Sequence, residues 1–237
     1  MPARILYELG GRDGVHYSQF SWRTRMALAH KQLDFESVPV RVSDKAAIAF
    51  SGQDKVPILK DGDHMVFDSW KIADYLESAY PDRPSLFGCA AGHGLARFVN
   101  AVVDRQMIPK LAPLLMRDVL DIVDDADAAH LRNGIEKAFR KTLEDLASQR
   151  DSGIVEFRRM LDPVRATLRT QPFLSGAQAA YGDYILFSLF QWARIVSAVQ
   201  VLEPDDAIAA WRERMLDLFD GFARREQSRL EAVEAAS

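Results

Sequence analysis

The chain contains a single cysteine, Cys89, in 237 residues. One thiol excludes an intrachain disulfide, a Cys-x-x-Cys redox pair and a cysteine-rich zinc site. Histidine does not replace the missing ligands, because the five histidines show no metal-ligand spacing. The sequence therefore predicts neither dithiol chemistry nor a metal centre.

An excess of positive charge and a long apolar run are also missing. The 30 basic and 34 acidic residues give a net charge of −4, which does not favour nucleic acid or an anionic membrane as a partner. The apolar runs are too short and too interrupted to span a bilayer, and the first residues show no signal-peptide pattern. We expect a soluble, cytoplasmic protein with one large domain or two modest ones.

The most informative stretch runs from Lys55 to Trp70. Its two apolar runs flank Asp61 and Gly62, and glycine accepts the positive φ that a two-residue hairpin turn demands. Pro57 stands where the first strand would begin, a position at which the missing N–H is tolerated. The stretch therefore predicts two antiparallel strands joined by a tight turn.

The apolar spacing changes to a helical repeat after Phe67. This repeat ends at Tyr80, because the proline that follows pushes that residue out of the α region. Asp68 or Ser69 would cap the helix, and the helix dipole favours an acid there. Capping alone would explain both residues, so a binding role for them needs further support.

Short strands and helices alternate in the first part of the chain. Strands are predicted at 5–9 and 35–40, a helix at 22–30 and a short helix near 45–50. A βαβ unit followed by a hairpin is most simply assembled as a thioredoxin-like α/β layer. The polar, proline-rich segment 80–84 marks the end of this layer. We therefore predict a thioredoxin-like domain at 1–84 and an all-helical domain at 85–237.

The second part of the chain shows helical periodicity and no convincing strand. Helices are predicted around 98–115, 135–146, 155–168, 184–199 and 207–222. Together they predict an all-α helical bundle.

Several motifs together resemble the cytosolic glutathione transferases. One is the Val56–Pro57 strand opening, followed by the glycine turn and the acid–serine pair at 68–69. Another is the segment 17–28 after the first strand, which resembles the active-site segment of serine-type members, namely the zeta class and the bacterial β-etherase-like transferases. The Trp-Arg-Thr sequence at 22–24 and the segment 216–221 resemble the β-etherase-like group most. The resemblance spans nearly the whole chain and is most specific in the first eighty or so residues.

This resemblance implies that glutathione is the cosubstrate, that its thiol is the nucleophile and that the protein is a homodimer. A thiolate is favoured by a helix N-terminus and by a hydroxyl donor. Ser18 is the first candidate for that donor and Ser21 the second, although Ser21 is also the expected N-cap of the following helix. Tyr7 and Tyr17 compete for the role, since tyrosine-type transferases use a phenol.

The resemblance also implies the contacts of both substrates. The Val56 backbone, just before Pro57, would pair with the cysteinyl amide of glutathione. Asp68 and Ser69 would hold its γ-glutamyl end, and Lys55 would meet its glycyl carboxylate. The electrophilic second substrate would lie between the domains, where pockets are favoured. Its pocket is predicted from His16, Tyr17, Phe20, Phe98, Met107, Phe187 and Trp192.

The most apolar predicted helix carries a departure from the family motif. Members usually have serine, threonine or asparagine as an N-cap three residues before an aspartate, and here Asp183 follows Ala180. Alanine cannot accept a backbone hydrogen bond through its side chain, which costs about 1 kcal/mol. Asp183 is predicted to be structural, reaching back to the N–H of residue 180 as half of a capping box.

The predicted function is thus a glutathione transferase that acts on an electrophilic, aromatic or apolar substrate. Two alternatives stay open. One is glutathione-dependent cleavage of a β-aryl ether, which Gln19 disfavours because the etherase-like motif often has proline there. The other is a non-catalytic module that binds glutathione.

Overall fold

The computed structural model describes residues 4–234, and every strand in that range precedes residue 68. The strands form one sheet of order β2-β1-β3-β4: β1 (Arg4–Leu9), β2 (Glu36–Val40), β3 (Ile58–Asp61) and β4 (His64–Phe67). β1 pairs in parallel with β2 and antiparallel with β3, and β3 pairs antiparallel with β4. The predicted thioredoxin-like sheet is confirmed.

The predicted hairpin is confirmed with its turn moved by one residue. Asp61 still belongs to β3 and pairs with His64, so the two turn residues are Gly62 and Asp63. Gly62 has a φ of 59°. Glycine adopts this positive φ without steric cost because it has no Cβ. The Val56–Pro57 peptide bond before β3 is cis.

Two helices pack on this sheet, α1 (Gln19–His30) and α2 (Ser69–Ala79), and a short 3₁₀ segment spans Ala46–Ser51. α1 begins three residues earlier than predicted, because its N-cap is Ser18 and not Ser21. The prediction that Ser21 caps this helix is therefore wrong. Asp68 caps α2 as predicted, since its Oδ1 accepts hydrogen bonds from the backbone N–H groups of the second and third helical residues.

The second half of the described chain is helical. Its helices are α3 (Ala90–Val102), α4 (Ile108–Val119), α5 (Asp125–Phe139), α6 (Leu143–Ser148), α7 (Arg150–Met160), α8 (Asp162–Leu168), α9 (Tyr181–Val196), α10 (Ala207–Gly221) and α11 (Arg229–Glu234). The predicted all-helical second domain is confirmed, whereas its exact boundary after residue 84 stays a prediction.

Three of the predicted long helices are interrupted. The one around 98–115 passes from α3 to α4 through a π-helical turn at Val103–Met107. The one around 135–146 is wrong as a single helix, because Arg140 is left-handed and Thr142 starts α6 with a capping box. The one around 155–168 divides into α7 and α8 just before Pro163, a residue that is tolerated in the first turn of a helix.

α9 is the centre of the helical domain. All 16 of its residues are buried, and it packs against α1 on one side and α3 on another. This contact joins the two domains through one apolar core. In residues 4–234, no helix is both long enough and apolar enough to cross a membrane.

Asp183 completes the N-terminus of α9 from inside. Its Oδ1 accepts hydrogen bonds from Leu174 N (2.7 Å) and Trp211 Nε1 (3.0 Å), and its Oδ2 accepts from Ser175 N (3.1 Å) and Ala180 N (3.3 Å). Burial raises the pKa of the Asp183 carboxyl, and these donors act in the opposite direction. The contact to Ala180 is the predicted half capping box.

Candidate functional site

The sheet brings four chain segments to one edge. β1 and β2 are parallel and end together, with Leu9 paired to Val40. Ile58, the first residue of β3, pairs with Tyr7 near the end of β1, and it also pairs with Phe67, the last residue of β4. The loops after β1 and β2, the segment before β3 and the start of α2 therefore all emerge at this edge. Ligands of open α/β sheets bind at such an edge.

A cavity of about 190 Å³ lies there. It brings together four residues that the sequence had singled out, namely Ser18, Phe20, Lys55 and Val56. The remaining lining residues are Leu9, Val40, Arg41, Val42, Asp44, Lys45, Ile48 and Asp54. Residues more than 30 positions apart in the sequence thus share one small cavity.

Within the described residues, the Ser18 hydroxyl makes one hydrogen bond and keeps one unused proton. As the N-cap of α1, its Oγ accepts a hydrogen bond from Ser21 N at 3.3 Å. The side chain is 7% exposed and lines the cavity. A hydroxyl that accepts in this way still has its own proton to donate. Ser18 can therefore stabilise an anion in the cavity, at the end of α1 where the helix dipole is positive.

Ser21 lies in a different environment although it is one turn away. Its side chain is fully buried, and its Oγ has no hydrogen-bond partner within residues 4–234. It is not among the residues that line the cavity. Of the two candidate serines, the structure therefore brings only Ser18 to the cavity.

The two candidate tyrosines are also outside the cavity lining. Tyr17 is 4% exposed, and burial, together with the nearby charges of Asp127 and Asp124, raises the pKa of its phenol. Its hydroxyl proton would be held still more firmly than in water. Tyr7 packs on Phe50, with ring centroids 5.0 Å apart, which is the packing role that its position in the strand predicts.

Five charged side chains line the cavity, three basic (Arg41, Lys45, Lys55) and two acidic (Asp44, Asp54). Lys55 is exposed and had been singled out from the sequence, whereas Arg41 and Lys45 were not anticipated. Lys45 Nζ donates to the backbone carbonyl of Asp54 at 2.7 Å, which ties two sides of the cavity together. The available signal was topological: residues directly after two parallel strands meet at one sheet edge.

One buried carboxylate of the helical domain holds the loop after β2. Asp127, in the first turn of α5, is 1% exposed. It accepts hydrogen bonds from Val42 N at 3.2 Å and Ser43 N at 2.8 Å. The neighbouring Asp124 forms an ion pair with Arg41 at 2.7 Å. The helical domain thus fixes one wall of the cavity.

Asp68 and Ser69 lie at the same sheet edge but not in the cavity lining. Asp68 is exposed and its Oδ1 is used in capping α2. Ser69 is buried, and its carbonyl accepts a hydrogen bond from Tyr181 Oη at 2.7 Å. Pro57 is buried behind Val56.

The helical residues predicted for the second-substrate pocket do not line the Ser18 cavity. Met107, Phe187 and Trp192 are at most 5% exposed and belong to the core. An apolar stripe on a helix serves a core as well as a pocket, and here it packs inward. Phe98 on α3 is 67% exposed and is not among the residues that line the Ser18 cavity.

The loop residues behave differently from one another. Phe20 lines the cavity, whereas His16 and Tyr17 do not. The His16 ring is held away from it by Glu226 and Ser37, at 3.1 Å and 2.9 Å. Within the described part of the chain, no group of three or more acidic, histidine or cysteine side chains is arranged to hold a metal ion.

Family models match both halves of the chain. The model described as glutathione S-transferase, N-terminal domain, matches residues 14–84. The model described as glutathione S-transferase, C-terminal domain, matches residues 94–223, which is more than half of the 237 residues.

Curated relatives match over shorter segments. The chain is 30% identical over 128 residues to glutathione S-transferase Z2 of Arabidopsis thaliana, covering 52% of this chain and 57% of that protein. It is 25% identical over 145 residues to a glutathione S-transferase-like protein of Aspergillus flavus, covering 54% of this chain and 50% of that protein. The chain thus spans about half the length of these curated relatives.

Solved structures match over nearly the whole chain. A glutathione S-transferase of Ceriporiopsis subvermispora, crystallised in complex with glutathione, superposes with a TM-score of 0.71. The match covers 98% of both chains at 20% identity, so it bears on the fold alone.

Proposed function

Because the chain belongs to the glutathione S-transferase family, we propose that it binds glutathione in the cavity beside Ser18 and activates its thiol. The activated thiol would then attack an electrophilic, apolar or aromatic substrate. The observation that carries this proposal is the position of Ser18, which caps α1 and lines the same cavity as Lys55 and Val56.

The chemical step needs a thiolate at neutral pH. The Ser18 hydroxyl donates a hydrogen bond to the sulfur, and the N-terminus of α1 adds favourable potential, so the thiol pKa falls and the thiol proton leaves to solvent. The sulfur lone pair then forms the C–S bond, and a leaving group departs with its bonding electrons. Where the substrate is a conjugated carbonyl, no group leaves. The carbon next to the attacked carbon then takes a proton from solvent.

Glutathione is held by the segments that meet at the sheet edge. The Val56 backbone pairs with the cysteinyl amide, and Lys55 faces the glycyl carboxylate. Asp68 and Ser69, at the start of α2, hold the γ-glutamyl ammonium and carboxylate. The exposed ammonium of Lys55 in the cavity lining, which suits a carboxylate, supports the glycyl contact.

Calorimetric titration tests the binding half of the proposal. We expect saturable binding of glutathione and of S-methylglutathione, since the peptide contacts do not need a free thiol. Lys55→Ala is expected to weaken both ligands by about tenfold, the loss of one charge-assisted contact. The absence of binding by either ligand would contradict the proposal.

Turnover with an activated chloroarene tests the catalytic half. The product thioether and chloride should appear in equal amounts only when protein and glutathione are both present. Binding without turnover, across chloroarenes, epoxides and conjugated carbonyls, would instead indicate the non-catalytic module.

Cleavage of a β-aryl ether is a narrower form of the same chemistry. The thiolate displaces a phenolate at the carbon bearing the ether oxygen, and the phenolate takes a proton from water. The Trp-Arg-Thr sequence at 22–24 supports it, and Gln19 counts against it. Release of phenol from a β-aryl ether, with turnover above that of the chloroarene, would assign this activity.

We also propose a homodimer, as family membership leads us to expect. Leu95 and Phe98 on α3 are each 67% exposed, and large apolar side chains at such exposure are common at interfaces. Light scattering should give about twice the monomer mass of 26.7 kDa, and a monomer mass at micromolar concentration would contradict this assignment.

A further inference from the structure

A return segment, residues 222–231, runs back over the start of α1 after α10 ends. Phe222 packs on Trp22, with ring centroids 6.0 Å apart. On the other side, Arg194 of α9 donates to the carbonyls of Arg224 and Glu226 and forms an ion pair with Glu231 at 2.9 Å. The segment is therefore fastened to the helical core and lies against the loop that carries Ser18.

Glu226 of this segment binds that loop with both carboxylate oxygens. Its Oε1 accepts a hydrogen bond from His16 N at 3.1 Å, and its Oε2 lies 3.1 Å from His16 Nδ1. The glutamate side chain is 10% exposed. His16 is two residues before Ser18, and its carbonyl accepts a hydrogen bond from Trp22 Nε1 at 2.7 Å.

The other side of the His16 ring is held as well. Nε2 lies 2.9 Å from Ser37 Oγ. Ser37 Oγ lies 2.6 Å from Glu8 Oε1, which also accepts from Arg25 Nη1 at 2.6 Å. Because a carboxylate paired with arginine only accepts, the Ser37 proton goes to Glu8.

The His16 ring therefore lies between one carboxylate of each domain. Nδ1 faces Glu226 of the helical domain, and Nε2 faces Ser37 Oγ, which donates to Glu8 of the sheet domain.

We infer that Glu226 is a positioning residue for Ser18. Through the backbone and ring of His16 it fixes the loop that places the Ser18 hydroxyl in the cavity. The helical domain thereby sets the geometry of the thiolate donor. The inference rests on the proposed function, and it concerns a residue that does not itself line the cavity.

The test compares Glu226→Ala with Glu231→Ala. Both glutamates lie on the return segment and both contact Arg194, but only Glu226 contacts the Ser18 loop. We expect Glu226→Ala to lower kcat by about ten- to a hundredfold, as a displaced reactive group does. The ultraviolet thiolate band of bound glutathione should shrink in parallel.

Glutathione affinity should change by less than about threefold in Glu226→Ala, because the contacts of Lys55, Val56 and α2 are untouched. Glu231→Ala should keep wild-type kcat and thiolate band. A general loss of stability would not lower the thiolate fraction of glutathione that is still bound.

If Glu226→Ala does not fold, the same measurements are made on Glu226→Gln. Glu231→Gln is then the control. The amide oxygen still accepts from His16 N, while the amide nitrogen replaces the acceptor beside Nδ1 with a donor. A loss of kcat and thiolate band confined to the Glu226 variant supports the inference.

Equal kcat and thiolate bands in the Glu226 variant and wild type would overturn the inference and leave the proposed function standing. Equal losses in both glutamate variants would also overturn it. A wild-type protein that binds glutathione without a thiolate band would overturn the proposed function first, and this inference with it.

Discussion

The backbone N–H groups at the N-termini of α1 and α9 find their hydrogen-bond acceptors in opposite ways. α1 is capped by Ser18, whose hydroxyl accepts one hydrogen bond and lines a cavity. α9 begins after Ala180, which has no capping atom, and Asp183 supplies the acceptor from inside the core. Every donor around Asp183 is matched, whereas Ser18 keeps one proton to give. A helix N-terminus with an unused donor facing a cavity can bind and stabilise an anion. A helix N-terminus whose polar groups are all hydrogen-bonded within the core contributes stability instead.

The Asp183→Asn variant should produce the largest loss of stability. One carboxylate oxygen becomes an amide nitrogen, so two of the four donors that Asp183 accepts from face another donor. Leaving them unsatisfied costs about 3 kcal/mol in the free energy of unfolding. Denaturant unfolding measures it.

Asp125→Asn is the matched control for this loss, because Asp125 is also in the first turn of a helix but has a fully exposed side chain. It should change stability by less than about 0.5 kcal/mol. A loss of similar size in both variants would show that the buried hydrogen bonds of Asp183 do not explain its contribution to stability.

The Ser18→Ala variant should lose activity more than stability. Without the donor the pKa of the bound thiol rises, and kcat falls by about a hundred- to a thousandfold, the usual effect of losing one preorganised hydrogen bond to an anion. Glutathione should still bind. Steady-state kinetics and the thiolate titration measure the two effects.

The Ser18→Gly variant separates the capping role of Ser18 from its role as a hydrogen-bond donor to the thiolate. Glycine at an N-cap costs only a few tenths of a kcal/mol, against about 1 kcal/mol for alanine. If Ser18 acts as a donor, the glycine variant should be as inactive as the alanine variant while unfolding close to wild type. An active glycine variant would assign Ser18 to capping alone.

The Ala180→Ser variant should stabilise the protein by about 0.5 to 1 kcal/mol, because a hydroxyl at the cap can accept from the first turn of α9. Thermal unfolding at matched pH measures the gain. Ala179→Ser, one residue outside the cap position, is the control and should give no gain. A gain in both would show that the effect is not capping.

The Ser21→Ala variant should have a small effect on stability and none on activity. Its Oγ is buried without a partner in the described chain, so removing it changes stability by less than about 1 kcal/mol, in either direction. Turnover and thiolate band should stay at the wild-type level. A loss of the thiolate band in this variant would move the donor role from Ser18 to Ser21.

Local signals in the sequence were sufficient for most of the fold. The hairpin at residues 58–67, the cap at Asp68 and the half capping box at Asp183 each depend on a few neighbouring residues. The break after Phe139 was missed, because its cause is the left-handed Arg140 and the cap at Thr142, and neither interrupts the apolar periodicity.

Only those site residues that belong to a recognisable local motif could be predicted from the sequence. Ser18, Lys55 and Val56 were found from motifs and share a cavity in the structure. Glu226 could not be found, because its contact with His16 joins residues 210 positions apart. Phe187 belongs to the core, and an apolar residue on a buried helix has the same sequence pattern whether it lines a pocket or a core.

The most direct measurement is the ultraviolet difference absorbance of the thiolate as glutathione is titrated into wild type and Ser18→Gly at neutral pH. We expect a saturable thiolate band in wild type and a much weaker band at equal occupancy in the glycine variant. A band of equal size in both proteins would contradict the claim that the open donor at the start of α1 activates the thiol.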